Sequence, residues 1–267
     1  MSRITFWVFA ITGWLAAPMV AYAYPGGTPN YQTDVAPFCA SCHSSMDPQA
    51  LAGTGERAEK ELAESKHIAV VLSGQEGYES LTDADRETLV KQLRAIDEAS
   101  TVALEAPASV KAGETFQVTV RVTGGAGPVV GVGLVDSNHR WYARPAASAG
   151  WLVVAPPAIT DSAGEQRNDW IAKRPIDAER NLSFVNVTDI SSNSALQKWD
   201  SATVSFTLQA PAVPGSYPLA AVYFYGTEKS TLLGYKTTAM GQKRVRGGYG
   251  GGSGRVRFTD VSRIQVQ

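Results

Sequence analysis

Two cysteines and a histidine stand together in the run Cys39-Ala40-Ser41-Cys42-His43. Thiols three positions apart, followed at once by an imidazole, have the spacing that attaches a c-type haem. Each sulfur would add to a vinyl group of the porphyrin, and His43 would lie under the iron as its proximal ligand. The chain holds 2 cysteines in all, so this use leaves none for a disulfide. A redox dithiol and half of a zinc site are the competing readings. The preceding Thr33-Asp34-Val35-Ala36-Pro37-Phe38 does not read as the buried strand that leads into a thioredoxin-like motif. A closed structural zinc site wants four nitrogen or sulfur ligands, against 2 cysteines and 3 histidines here.

Covalent haem attachment takes place beyond the bacterial inner membrane, and the N-terminus has the form that would take the chain there. Arg3 is the one charge before Asp34, and the apolar run Ile4–Ala17 ends in Pro18 and the small-residue pattern Ala21-Tyr22-Ala23. This is the pattern of a secretory signal over residues 1–23, too short in its apolar core for a comfortable membrane span. The expected product starts at Tyr24, is periplasmic or extracellular, and keeps no stable membrane span.

The elements that would position the haem divide near residue 100. Residues 24–100 carry 13 acidic and 6 basic side chains, and residues 101–267 carry 12 acidic and 17 basic. The near-zero total therefore hides an acidic half and a basic half, an asymmetry that can steer a redox partner or dock one half on the other. Glu56 to Lys66 is rich in good helix formers. Thr82 to Glu98 reads as a helix with Thr82 as N-cap, Asp83 and Asp85 in the first turn, and Leu89, Leu93 and Ile96 on one stripe. Together with the haem motif, the run Leu81-Thr82-Asp83-Ala84-Asp85-Arg86-Glu87 resembles the start of the closing helix of monohaem class I cytochromes c. The resemblance covers about residues 31–98 and implies a small all-α haem domain over 24–100, lined by residues such as Phe38, Ile68, Val71, Leu72, Leu89 and Leu93.

In that family the distal iron ligand comes from the loop before the closing helix. Here Ser65-Lys66-His67-Ile68 fills that position, with His67 where the family usually has methionine. The resemblance thus implies His43 and His67 as the two iron ligands. Two imidazoles lower the potential and leave no site for substrate, which favours electron transfer over catalysis. An open distal face would instead admit peroxide, nitric oxide or carbon monoxide. Met46 is too near His43 to cross the porphyrin, His139 sits in a polar turn, and Met240 sits beside a glycine-rich loop.

Beyond residue 100 the apolar period changes to two. Phe116, Val118, Val120 and Val122 alternate with polar residues, and the same period recurs at Val204–Leu208 and Val256–Phe258. Further strands are expected at 129–135, 182–187, 217–225 and 261–266, separated by Gly- and Pro-rich turns. The pattern predicts an antiparallel sandwich over 101–267, and Trp199 to Tyr225 resembles the later strands of Ig-like or reelin-type domains. The cation- and glycine-rich stretch 241–257 reads as a hairpin whose arms are Lys243–Arg246 and Arg255–Arg257. Trp141, Tyr142 and Trp151 are the first candidates for surface aromatics, although core packing is the common fate of tryptophan in such a domain.

The expected fold is α+β and multidomain, a cytochrome c-like domain followed by an Ig-like sandwich. The expected function is single-electron transfer through one covalent haem c on Cys39, Cys42 and His43, with the sandwich docking a redox partner protein and no nucleic acid bound. Two alternatives remain: a binding, adhesion or sensor protein whose sandwich does the work, and a haem peroxidase with an open distal face.

Overall fold

The computed structural model describes residues 62–75, 78–126, 129–138, 143–168, 182–190, 192–227, 234–237, 243–246 and 254–267. The signal segment, Cys39, Cys42, His43, His139, Trp141, Tyr142 and Met240 lie outside them. Of the all-α domain expected over 24–100, the described residues hold two connected helical pieces.

The first piece is a π-helical stretch, Leu62–Ile68, that runs on into α1, Ala69–Ser73. Gly74 ends α1 with φ +67°, the left-handed cap that glycine adopts without a Cβ penalty. The second is α2, Asp83–Ala99. The Thr82 hydroxyl accepts from the Asp85 backbone N–H at 3.2 Å, and the Asp85 carboxylate accepts from the Thr82 N–H at 3.3 Å. This reciprocal capping box satisfies two N–H groups at the helix start. Leu89, Val90 and Leu93 pack with Ile68, Val71, Tyr78 and Leu81 into a small helical core. Leu72, expected to line the haem, is 48 % exposed. One turn beyond Leu93, Ile96 leaves that core and joins the core of the sandwich.

Ser100 alone separates α2 from the first strand. The strands are β1 (Thr101–Glu105), β2 (Ser109–Val110), β3 (Thr115–Thr123), β4 (Val129–Val135), β5 (Leu152–Asp161), β6 (Phe184–Thr188), β7 (Ser201–Gln209), β8 (Gly215–Gly226), β9 (Gly234–Thr237), β10 (Lys243–Arg246), β11 (Gly254–Phe258) and β12 (Ser262–Val266). One sheet runs β1-β3-β7-β5. The other runs β2-β12-β8-β4-β6, with β11 also on β8. The inward residues of both sheets, among them Val118, Val120, Val204, Phe206, Val132, Val185 and Tyr223, form one core. The alternation read from the sequence becomes a register: Val118 faces Phe206 and Val120 faces Val204 across β3 and β7.

This is an Ig-like sandwich. In the usual lettering the first sheet takes the A-B-E-D places and the second the G-F-C places with a C′ neighbour. The chain visits two of these places in the reverse of the usual order: β5, in the D place beside β7, precedes β6, in the C′ place beside β4. Tyr217, near the start of β8, donates its hydroxyl proton to the Val213 carbonyl at 2.8 Å, the tyrosine corner of this fold. Strand β2 pairs in parallel with β12.

Three local readings change. Leu152–Asp161, not among the expected strands, is the edge strand β5; register shifts between Val153 and Ala158 accommodate Pro156 and Pro157 at the edge. The arms 243–246 and 255–257 do not pair with each other. Strand β10 pairs with β9, and β11 pairs with β8. Trp151, considered as a surface aromatic, is 1 % exposed. Its indole N–H donates to the Pro218 carbonyl at 2.9 Å, and its ring meets Phe116 and Tyr217 edge-on.

Candidate functional site at the helix–sandwich seam

His67 is the described member of the expected ligand set, and it is buried, at 7 % exposure. The π-helical stretch and the turn before α2 bring it against Tyr78, whose hydroxyl lies 3.2 Å from His67 Nε2. Tyr78 is itself wedged in the helical core at 1 % exposure. From the other side a sandwich residue reaches in: Arg255 Nη2 lies 3.0 Å from His67 Nδ1, across 188 positions of sequence.

Why an arginine is buried there follows from α2. The last turn of that helix carries no basic residue, and it does carry Asp97. An acid near the negative end of a helix is unfavourable, so the turn needs cations from elsewhere. Strand β11 provides them. Its pairing sets Arg255 opposite Tyr225 and Arg257 opposite Tyr223 on β8. Arg255 Nε donates to both Asp97 oxygens, at 3.0 and 3.1 Å, with its side chain 3 % exposed. Arg257 Nη2 donates to the Asp97 carbonyl, and Arg257 Nε donates to the Tyr225 hydroxyl at 3.0 Å. The Tyr225 hydroxyl donates in turn to Asp97 Oδ1 at 3.2 Å.

Beneath this layer the seam closes on backbone. The Ser100 hydroxyl donates to the Ile96 carbonyl at 2.7 Å and accepts from the Gly125 N–H at 2.9 Å. The Tyr223 hydroxyl donates to the Gly124 carbonyl at 3.0 Å. Burial raises the Tyr223 hydroxyl well above its ordinary pKa, with the neighbouring Tyr225 adding to the rise. Gly124 and Gly125, at φ +82° and +72°, let the chain approach so closely that a Cβ on Gly125 would lie 2.5 Å from the Tyr223 hydroxyl oxygen.

The sequence reading singled out His67 and missed Asp97, Arg255, Arg257 and Tyr225. The available signal was an uncompensated acid in the last turn of α2, together with an Arg-Val-Arg alternation on a strand.

The partners of His67 bear on its fit to haem, the group implied by the Cys39–His43 run. A guanidinium has donors and no acceptor. The Nδ1 that faces Arg255 therefore presents its lone pair, and the ring proton sits on Nε2, directed at the Tyr78 hydroxyl; this tautomer is assigned from the partners. A nitrogen that carries a proton has no in-plane lone pair for a metal. As held here, His67 does not fit an iron ligand. No group of three or more His, Cys, Asp and Glu side chains gathers as a metal site among the described residues.

No protein-family model matches the chain, and no curated protein does. Among solved structures it is similar to the collagen-binding domain of a Staphylococcus aureus adhesin, at 7 % identity over 62 % of this chain and 96 % of that one, with a TM-score of 0.29. It is also similar to the Streptococcus suis adhesin Fhb, solved with the disaccharide receptor Gb2, at 11 % identity over 68 % and 92 % of the two chains and a TM-score of 0.26. A PapD-like domain of human CEP192 has 12 % identity over 63 % and 87 %, with a TM-score of 0.23.

Proposed function

We propose that this chain is an exported haem c protein that works as a binding or sensory module. One haem would be tethered at Cys39 and Cys42 over His43, and the Ig-like sandwich would engage the partner. The observation that supports this reading is the seam. The segment that follows the haem motif is joined to β11 through a buried ion pair, Asp97 with Arg255, and through the His67–Arg255 contact. A change of state at the haem that shifts this segment would reach β11 through these short, buried contacts.

A second reading, a single-electron carrier that docks through the sandwich, draws on the Cys39–His43 motif behind a secretory signal. If bound, the haem would supply a one-electron couple, and this chain's own part would be to fix the porphyrin, exclude water and present its edge. Amide hydrogen exchange of the exported full-length protein, oxidised and reduced, separates the two. A sensor should change protection at the Arg255–Phe258 amides of β11 when the iron changes state. A pure carrier should leave them unchanged. Absorption of the pyridine haemochrome after denaturation, lost in Cys39→Ala/Cys42→Ala, tests the covalent haem common to both.

A further inference from the structure

We propose that His67 is not the sixth ligand of the haem iron. This rests on the haem reading above and takes His67 out of its ligand set. Three observations carry the inference. Arg255 holds Nδ1 from 3.0 Å with a group that only donates, so the ring proton is on Nε2. Nε2 faces the Tyr78 hydroxyl at 3.2 Å. Arg255 cannot swing aside cheaply, because its Nε is also bound to both oxygens of Asp97 and its side chain is almost wholly buried.

For His67 to bind iron through Nε2, three things would have to happen together. The proton on Nε2 would have to leave, a proton would have to arrive on Nδ1 against an arginine donor, and Tyr78 would have to vacate its place in the helical core. Each change breaks an interaction described above, and the Arg255 contact would turn from attraction into two donors facing each other. Metal-bound histidines ordinarily give their other ring N–H to a carboxylate, a carbonyl or water. His67 has an arginine there instead. Arg255 is thus a positioning residue: it sets the tautomer of His67 and, through it, keeps that imidazole off the iron.

The test uses the exported full-length holoprotein, reduced with dithionite, with visible spectra recorded before and after carbon monoxide. The wild type and His67→Gln should respond to the gas alike. His67→Gln should have the same spectrum as wild type before the gas is added, since the Gln amide can accept from Arg255 and donate to Tyr78 and so preserves the seam. A low-spin wild-type spectrum that carbon monoxide does not move, together with a high-spin His67→Gln, would overturn the inference while leaving the haem reading intact. A preparation without pyridine haemochrome bands would overturn the haem reading and this inference with it. Nitrogen-15 spectra of the His67 ring give a readout independent of gas binding. A protonated Nε2 and a bare Nδ1 are expected, and a proton on Nδ1 would refute the assignment.

Discussion

Replacing Asp97 by Asn tests the central claim about the seam, that a buried charge pair joins helix to sandwich. The substitution keeps shape and removes only charge. Arg255, with 3 % of its side chain exposed, then keeps its cation but loses the carboxylate that accepts from its Nε; Asp97 itself is 18 % exposed. Breaking a buried pair by removing one partner costs about 3–5 kcal/mol, because the remaining charge stays desolvated. The amide oxygen of Asn still accepts one hydrogen bond, which points to the lower end, about 3 kcal/mol. With a urea slope of roughly 2–3 kcal/mol/M, the unfolding midpoint should fall by about 1 M. Glu105→Gln is the internal control. It removes the acid from an ion pair with Arg121 whose two side chains are both more than half exposed, and solvent screening there should leave the midpoint in place. Adding Arg255→Met to Asp97→Asn should recover part of the loss, since no buried cation then faces the amide. A loss below about 1 kcal/mol in Asp97→Asn, or a double variant less stable than the single, would refute the reasoning.

Other perturbations follow from the fold. Thr82→Ala removes the hydroxyl that caps α2 and should cost about 1 kcal/mol by urea unfolding, with no change in the spectrum of any haem. Gly131→Ala puts a Cβ 2.6 Å from Cζ of the buried Phe184, and overpacking of this kind should cost about 1–3 kcal/mol in thermal unfolding. The Asp161 carboxyl is held below its ordinary range, first by the backbone N–H of Glu165, and also by Arg167 and the Ala163 N–H. A depressed carboxyl stabilises its turn above the unfolded value, near pH 4, and loses that stabilisation as pH falls through the folded value. Amide protection at Ala163 and Glu165, taken as the exchange rate relative to the unstructured chain at the same pH, should therefore fall on acidification below about pH 4 and stay flat above it.

How much of this was legible beforehand depended on the range of each interaction. Strand β3 and helix α2 were plain, because the period of two at Phe116–Val122 and the Thr82 cap with its Leu89/Leu93 stripe are local signals. Strand β5 was not among the expected strands: Pro156-Pro157 interrupt its pattern, and only the edge position beside β7, a property of the assembled sheet, tolerates them. The partners of β11 were misread for a similar reason. A basic hairpin between residues 241 and 257 satisfied the local chemistry, whereas the true partner of Arg255 on β8 is Tyr225. The burial of His67 was the least accessible feature. Its position before α2 was visible, but the arginine that faces it lies 188 residues away, and no periodicity links them.

That separation has a consequence for the order in which the molecule is made. Synthesis runs from the N-terminus, so His67 and Asp97 exist long before the strand that will hold them. Arg255 appears 158 residues after Asp97, and β12, which pairs with both β8 and β2, comes later still. Throughout that interval the seam cannot close, and the Cys39–His43 stretch belongs to a chain not yet clasped to its sandwich. Until the last strands are complete, the helical segment relies on its own core, in which Leu89, Val90 and Leu93 pack with Ile68, Val71, Tyr78 and Leu81.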